Sequence, residues 1–278
     1  MNQLKTEKRV AIVRCLADGV SIRGTCRITG AAKNTVVKLL VELGQVCEAF
    51  HDRAVRGLRC HRIQCDEIWN FCYAKEENVP DELRGTFGYG DVWTWVALDA
   101  ETKLTLSWTV GRRDAAFAEQ FMLDVAGRVL NRVQLTTDGL RAYLDAVENA
   151  FGFEVDFTQL VKMYGDTKEP TSEGRYSPPK WNGSKKTPVL GLPDRAHIST
   201  SYIERQNLTM RMGMRRFTRL TNGFSKKLFN LECAVALHFV HYNFCRKHQT
   251  LGATPAVAAG LADHVWSIEE LVGLLDSN

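Results

Sequence analysis

The sequence predicts an α/β sheet flanked by helices, preceded by an all-α segment, and three observations carry that expectation. Residues 6–44 show capped, helix-spaced apolar patterns. From about residue 61 the pattern changes to strands rich in β-branched and aromatic residues. Strands and helices then follow in the order βββαβαβ, which needs parallel additions to an antiparallel start.

The first helix is expected over about 6–17, with Val10, Ile12, Val13, Leu16 and Ala17 as its apolar side, ending at Asp18-Gly19. Ser21 caps a second short helix, SIRGTCRI, because its hydroxyl can accept an otherwise unpaired backbone amide. Thr29-Gly30 turns the chain into a third helix from about Ala32 to Leu43, closed by Gly44. Two helices joined by a tight glycine-containing turn in a basic segment fit a helix-turn-helix domain over 1–46. In that geometry Lys33, Asn34, Thr35 and Lys38 are the residues placed to touch bases and phosphates.

Residues 47–59 read as a helical linker. RIQCDEIWNFCYA, DVWTWVALDAET and KLTLSWTVG read as three strands, the last two joined by a hairpin at Ala100-Glu101-Thr102-Lys103. A helix over about 114–130, the strand RVQLTTDG, a helix over 139–150 and the strand FEVDFTQLV follow. Residues 163–195 hold five of the seven prolines and read as a long loop or insertion. Helices are then expected over about 198–218 and 225–247. A last helix starts at Ser267, where Glu270 completes a capping box. The resulting division is 1–46, 47–59, a sheet domain over 60–256 containing the 163–195 insertion, and a helical tail over 257–278.

Composition is that of an ordinary globular protein, with 45% hydrophobic and 24% charged residues and apolar runs too short for a membrane span. MNQLKTEKRV offers no apolar signal core, so a cytoplasmic location and no membrane partner are expected. The eight cysteines include no C-x-x-C pair and fit reduced, packed thiols. Cys60, His61, Cys65 and Cys72 match no zinc spacing. Net charge is +4, but residues 1–62 alone carry +7, and 205–227 holds seven Lys/Arg and no acid. Two basic regions around a mildly acidic middle suggest a polyanion touched in two places.

Against that background three acids stand out. Asp66 lies inside the first strand, where alternation puts it on one face with Gln64 and Ile68, and Glu67 on the other. A carboxylate in an apolar strand is costly unless paired or bound to a cation. Asp138 ends the strand RVQLTTDG; taken singly it reads as a helix N-cap. Glu204 heads TSYIERQNLTMRMGMRR, whose other charges are all basic. At 100° per residue Arg211 and Arg215 fall about 20° to either side of Glu204, beside a stripe of Ile203, Met210, Met214 and Phe217. Asn207, one turn on, can position a ligand. His197 would share the Glu204 face if the helix began that early. Three such acids form a cage of hard oxygens suited to Mg²⁺.

CDEIW around Asp66, TTDG around Asp138 and HISTSYIERQNLTMRMGMRR around Glu204 together resemble the DDE transposases of bacterial insertion sequences, most closely the insertion sequence one type. HYNFCRKHQTLGATPA, 241–256, is similar to the tail many of these proteins carry, and the resemblance covers about 60–256. It implies a ribonuclease H-like mixed sheet and Asp66, Asp138 and Glu204 as a catalytic, metal-binding triad. It also implies Arg211 as the basic residue seven positions after the glutamate and two divalent ions, Mg²⁺ with Mn²⁺ able to substitute. The partners implied are DNA, as element ends and target, and further copies of the chain in a homo-oligomer on the nucleoid. The cysteine zinc module that such relatives commonly carry ahead of the helix-turn-helix has no counterpart in the sequence. The alternative expectation is a helix-turn-helix regulator, or relic, with a catalytically silent sheet domain.

Overall fold

The computed structural model describes residues 4–165, 181–218 and 222–276. Three helices open it, α1 (Thr6–Ala17), α2 (Ile22–Thr29) and α3 (Lys33–Ala54). Ser21 caps α2 through the Gly24 amide at 3.0 Å, as its position predicts. The third helix does not close at Gly44 but runs on to Ala54, through most of the stretch expected as a linker. Gly44 is a close-approach residue rather than a stop. A methyl group there would come within 2.6 Å of the Cys233 Cα on the helix packed against it.

Six strands form one sheet: β1 (Arg62–Cys72), β2 (Gly90–Asp99), β3 (Thr105–Gly111), β4 (Val133–Thr137), β5 (Val155–Tyr164) and β6 (Trp181–Leu190). Their order is β3-β2-β1-β4-β5-β6. β1 to β3 are antiparallel, β4 and β5 add in parallel, and β6 returns antiparallel to β5. The 163–195 stretch, expected as a loop, therefore supplies a strand. Its proline and glycine content hid that strand, and β6 tolerates Gly183 and Pro188 because it lies at the sheet edge. Residues 166–180 of that expected loop fall outside the described residues.

Helices α4 (Ala115–Ala126) and α5 (Ala142–Phe151) cover one face, where the Trp95 ring meets Tyr143 at 5.4 Å and Phe121 at 6.0 Å. The other face carries α3, α6 (Ser201–Gly213) and α7 (Leu228–Val240). There Trp108 stacks on Phe239 at 5.0 Å and lies 4.2 Å from the His51 ring. Edge strand β3 is tied to this layer by its own backbone. Thr105 donates its amide to Asn243 Oδ1 at 3.0 Å, and its carbonyl receives Asn243 Nδ2 at 2.9 Å with His51 Nε2 at 3.1 Å.

Two helices expected as continuous are broken. The stretch 198–218 follows a 3-10 turn (Arg195–His197) and consists of α6, which stops at Gly213, then a second 3-10 turn (Arg215–Phe217). The stretch 225–247 is α7 followed by a π turn at His241–Cys245. A short α8 (Pro255–Ala258) was not expected, whereas α9 (Ile268–Gly273) has the capping box read from Ser267 and Glu270. Among the described residues no helix is long and apolar enough to cross a membrane.

Gly44→Ala should expose the α3–α7 contact. Helix propensity alone favours alanine by about 1 kcal/mol. Overpacking against the Cys233 backbone costs roughly 1–3 kcal/mol. A net loss in the urea midpoint is expected, and a raised midpoint would contradict the contact.

Candidate active site

The parallel pairing of β1 and β4 sets the first two acids side by side. Arg62 lies opposite Gln134 and Gln64 opposite Thr136, so the same register carries Asp66 next to Asp138, just past the end of β4. The third acid arrives on α6, whose N-terminus is pinned to β1: Tyr202 and Ile203 donate their amides to Gln64 Oε1 at 2.9 and 3.1 Å. Gln64 and Asp66 share a strand face, so the residue that anchors α6 and the residue that meets its next turn alternate as β geometry requires. Asn207, one turn beyond Glu204, donates Nδ2 to Asp66 Oδ2 at 2.8 Å. Asp66, Asp138 and Glu204 line one cleft of about 600 Å³, with Arg113, Lys162 and Thr200 among the other walls.

Each acid has its own set of partners. Asp66 Oδ1 accepts the Glu67 amide at 2.9 Å. Burial, reinforced by the charges of Asp138 and Glu204, pushes the Asp66 carboxyl up to about 7, against the hydrogen bonds from Glu67 and Asn207. Asp138 is not a helix N-cap. Its Oδ1 accepts the Leu140 amide at 2.9 Å in a turn ahead of α5, and Oδ2 lies 3.4 Å from an Arg113 nitrogen. Glu204 takes the Thr200 hydroxyl on Oε1 at 2.6 Å and the Lys162 ammonium on Oε2.

Sequence reasoning missed Glu67, Arg113, Tyr143 and Lys162. Glu67 points to the opposite face, as alternation predicts, yet one of its oxygens lies within 4.8 Å of oxygens of both Asp66 and Asp138. The acid group that lies close enough to share an ion among the described residues is thus Asp66, Glu67 and Asp138, while Glu204 lines the same cleft outside that group. Both Glu67 oxygens are engaged, one by the buried Tyr143 hydroxyl and one by Arg113 Nε at 3.0 Å. Burial and the charge of Asp138 push Glu67 up to about 7 as well. Arg113 thereby bridges Glu67 and Asp138, with its guanidinium 4.7 Å from the Trp93 ring centroid. A sequence signal did exist for Lys162: it is a lone cation within an otherwise uncharged strand end, TQLVKMY.

Other expected site residues are dispersed. His197 sits in the 3-10 turn ahead of α6, half exposed, with Nδ1 2.7 Å from Asp194 Oδ2; the helix begins too late to bring it onto the Glu204 face. Arg211 stays on α6 and reaches the Phe217 carbonyl at 3.5 Å. Arg215 leaves the line of Glu204, because α6 ends two residues before it. It lies instead in a second cleft, with Lys33 and Asn34. Thr35 is half-buried on α3, and exposed Lys38 is 3.6 Å from Glu42.

A six-stranded mixed sheet in this order, with acids on β1 and at the end of β4, defines a ribonuclease H-like fold. No protein-family model and no curated protein matches the chain. Among solved structures it is similar to a piggyBac transposase in a synaptic complex with hairpin DNA, at TM-score 0.38 and 11% identity over 100% of this chain and 71% of that one. It is also similar to a pre-cleavage Mos1 transpososome (TM-score 0.22, 11% identity, 56% of this chain and 60% of that one). A Mos1 mariner paired-end complex with Mn gives TM-score 0.24 and 12% identity over 87% and 79%.

The raised Asp66 carboxyl fixes the sign of a pH effect. A raised folded-state pKa contributes stability that is fully present below the unfolded value near 4 and is lost as pH rises to about 7. The buried His51, His238 and His241, whose pKa values burial lowers, titrate in the opposite sense, but they cancel when two variants are compared. Asp66→Asn should therefore gain on the order of 2–3 kcal/mol relative to the parent between pH 5 and pH 8 in chelator. Urea melts at both pH values measure it, and a pH-independent difference would refute a raised Asp66.

Proposed function

We propose that the chain is a DNA transposase of the DDE type. Its reaction is divalent-ion-dependent cleavage of strands at the ends of an insertion sequence, followed by attack of the freed 3′-hydroxyl on target DNA. The observation that carries this reading is the convergence of Asp66, Asp138 and Glu204, from two strands and a helix, on one cleft. The resemblance of CDEIW, TTDG and the I-E-R-x-N helix points the same way.

The cleft's chemistry fits Mg²⁺ or Mn²⁺. Its donors are hard carboxylate oxygens, and beside them Asn207 Oδ1 is buried without a hydrogen-bond partner. Asp66, Asp138 and Glu204 would hold the ions, two in number, with Glu67 close enough to replace one ligand. Bound there, divalent ions supply Lewis-acid stabilisation of phosphoryl oxygens and acidify the attacking hydroxyl.

The chain's own side chains do the positioning. Asn207 holds the Asp66 carboxylate in one orientation, and Thr200 does so for Glu204. Glu67 and Tyr143, both buried, fix Arg113 against Asp138. Lys162 and Arg113 put two cations at the rim of an acid cleft, where a scissile phosphate needs charge neutralised. Lys33, Asn34, Thr35 and Lys38 are assigned to DNA by the helix-turn-helix reading, and Arg211 and Arg215 to its backbone. Assembly is as a homo-oligomer on element ends.

A second reading has one observation in its favour. Lys162 on Glu204 and Arg113 on Asp138 already neutralise two of the three acids, as a silent sheet domain in a DNA-binding regulator would. Strand-transfer assays separate the two. Asp66→Asn, Asp138→Asn and Glu204→Gln are each expected to lower Mg²⁺-dependent joining by roughly 10²–10³-fold or more, with DNA affinity retained. A parent protein that never nicks DNA with Mg²⁺ or Mn²⁺ selects the regulator. Cleaved product that is never joined selects a nuclease.

A further inference from the structure

A second cleft lies away from the acids. It has a volume of about 830 Å³ between the helix-turn-helix segment and the chain that follows α6. Its lining comes from the α1–α2 turn and the first turns of α2 and α3, and from residues 214–216, 222–230 and α7. The walls are held in place by backbone contact. Gly19, at φ +74° in the α1–α2 turn, lies so close to Gly213 that a Cβ would sit 2.7 Å from the Gly213 carbonyl oxygen. The end of the Glu204 helix is thus the floor on which the helix-turn-helix rests.

The cleft's charge is one-sided. Arg23 and Lys33 line one wall, and Arg215, Arg216, Lys226 and Lys227 the other, with no Asp or Glu among the described residues lining it. The two basic stretches of the sequence, separated by 142 residues, therefore line one cleft. Arg216 is oriented by the Ser225 hydroxyl at 2.8 Å, and the Lys226 ammonium stands 3.6 Å from the centroid of the Phe224 ring. Asn34, Asn222 and Asn230 add amides that can both donate and accept. Six cations facing one another repel unless a polyanion lies between them.

We propose that this cleft holds a single strand of DNA, its phosphates between the two basic walls. The size decides for a strand over a duplex: about 830 Å³ is within the ~300–1,000 Å³ range of small-ligand pockets. A duplex would reach only the rim and leave Arg216 uncontacted. The assignment also revises the helix-turn-helix expectation, since Lys33 and Asn34 line the same cleft as Arg215 and Lys226. The proposal rests on the reading of this chain as a DNA-processing protein.

Fluorescence anisotropy of a labelled oligo-dT on the full chain, in chelator, tests the cleft without involving the acid site. Lys226→Glu/Lys227→Glu is expected to weaken binding at least tenfold. The neutral Lys226→Gln/Lys227→Gln should reduce the slope of log affinity against log salt by about 1.4, two phosphate contacts at ~0.7 each. All four substitutions fall on exposed side chains, and the thermal melt checks that the fold survives. Unchanged affinity and slope would overturn the proposal, as would binding of duplex but not of oligo-dT, or tighter binding of an RNA oligomer. Full displacement of oligo-dT by millimolar inorganic phosphate would reduce the cleft to a simple anion site and also overturn it. Asp66→Asn that still joins DNA sinks the transposase reading while leaving these binding results intact.

Discussion

Two neighbouring carboxylates in a central strand, Asp66 and Glu67, impose the constraint from which the site is built. Strand alternation sends them to opposite faces, and both are pushed up to about 7 by burial. Each needs its own compensation. On one face α6 brings Asn207 to Asp66, and on the other α5 brings Tyr143 to Glu67, with Arg113 following from the end of β3. The two helical layers are thereby tied to one strand at one point. Because Asp138 adds a third carboxylate to both neighbourhoods, charge repulsion accumulates where β1 and β4 meet, and a divalent ion at the proposed site would relieve it.

The acid site and the basic cleft share a helix. Its N-terminal end is set by Gln64 beneath Tyr202 and Ile203, and its C-terminal end abuts the α1–α2 turn at Gly19. Glu204 and Asn207 face the acid cleft, while the turn after Gly213 delivers Arg215 and Arg216 to the basic one. Packing of α3 on α7 at Gly44 fixes the same relation from the other side. The three N-terminal helices and the sheet thus pack together, with most of the stretch expected to link them absorbed into α3.

Comparison with solved structures adds little at 11–12% identity and TM-scores below 0.4. The functional reading rests instead on donor chemistry: hard oxygens on rigid elements, an orphaned amide oxygen beside them, and cations at the rim.

The sequence by itself determined the order of the first five strands, the caps at Ser21 and Ser267, and the face on which Asp66 points. All of these follow from local rules: strand alternation, turn chemistry and the placement of charge in apolar runs. Only the tertiary structure decided where helices stop and which strands are edges. Gly44 reads locally as a terminator, yet it is a contact, because the cost of its missing side chain is repaid by a helix far away in sequence. Pro188 and Gly183 read as loop residues until an edge position accepts them. The helical wheel placed Arg215 beside Glu204, but α6 ends at Gly213 and sends that arginine to the opposite cleft. Glu67, Arg113 and Tyr143 were out of reach for a similar reason: their roles come from partners 25–76 positions away, which no local pattern encodes.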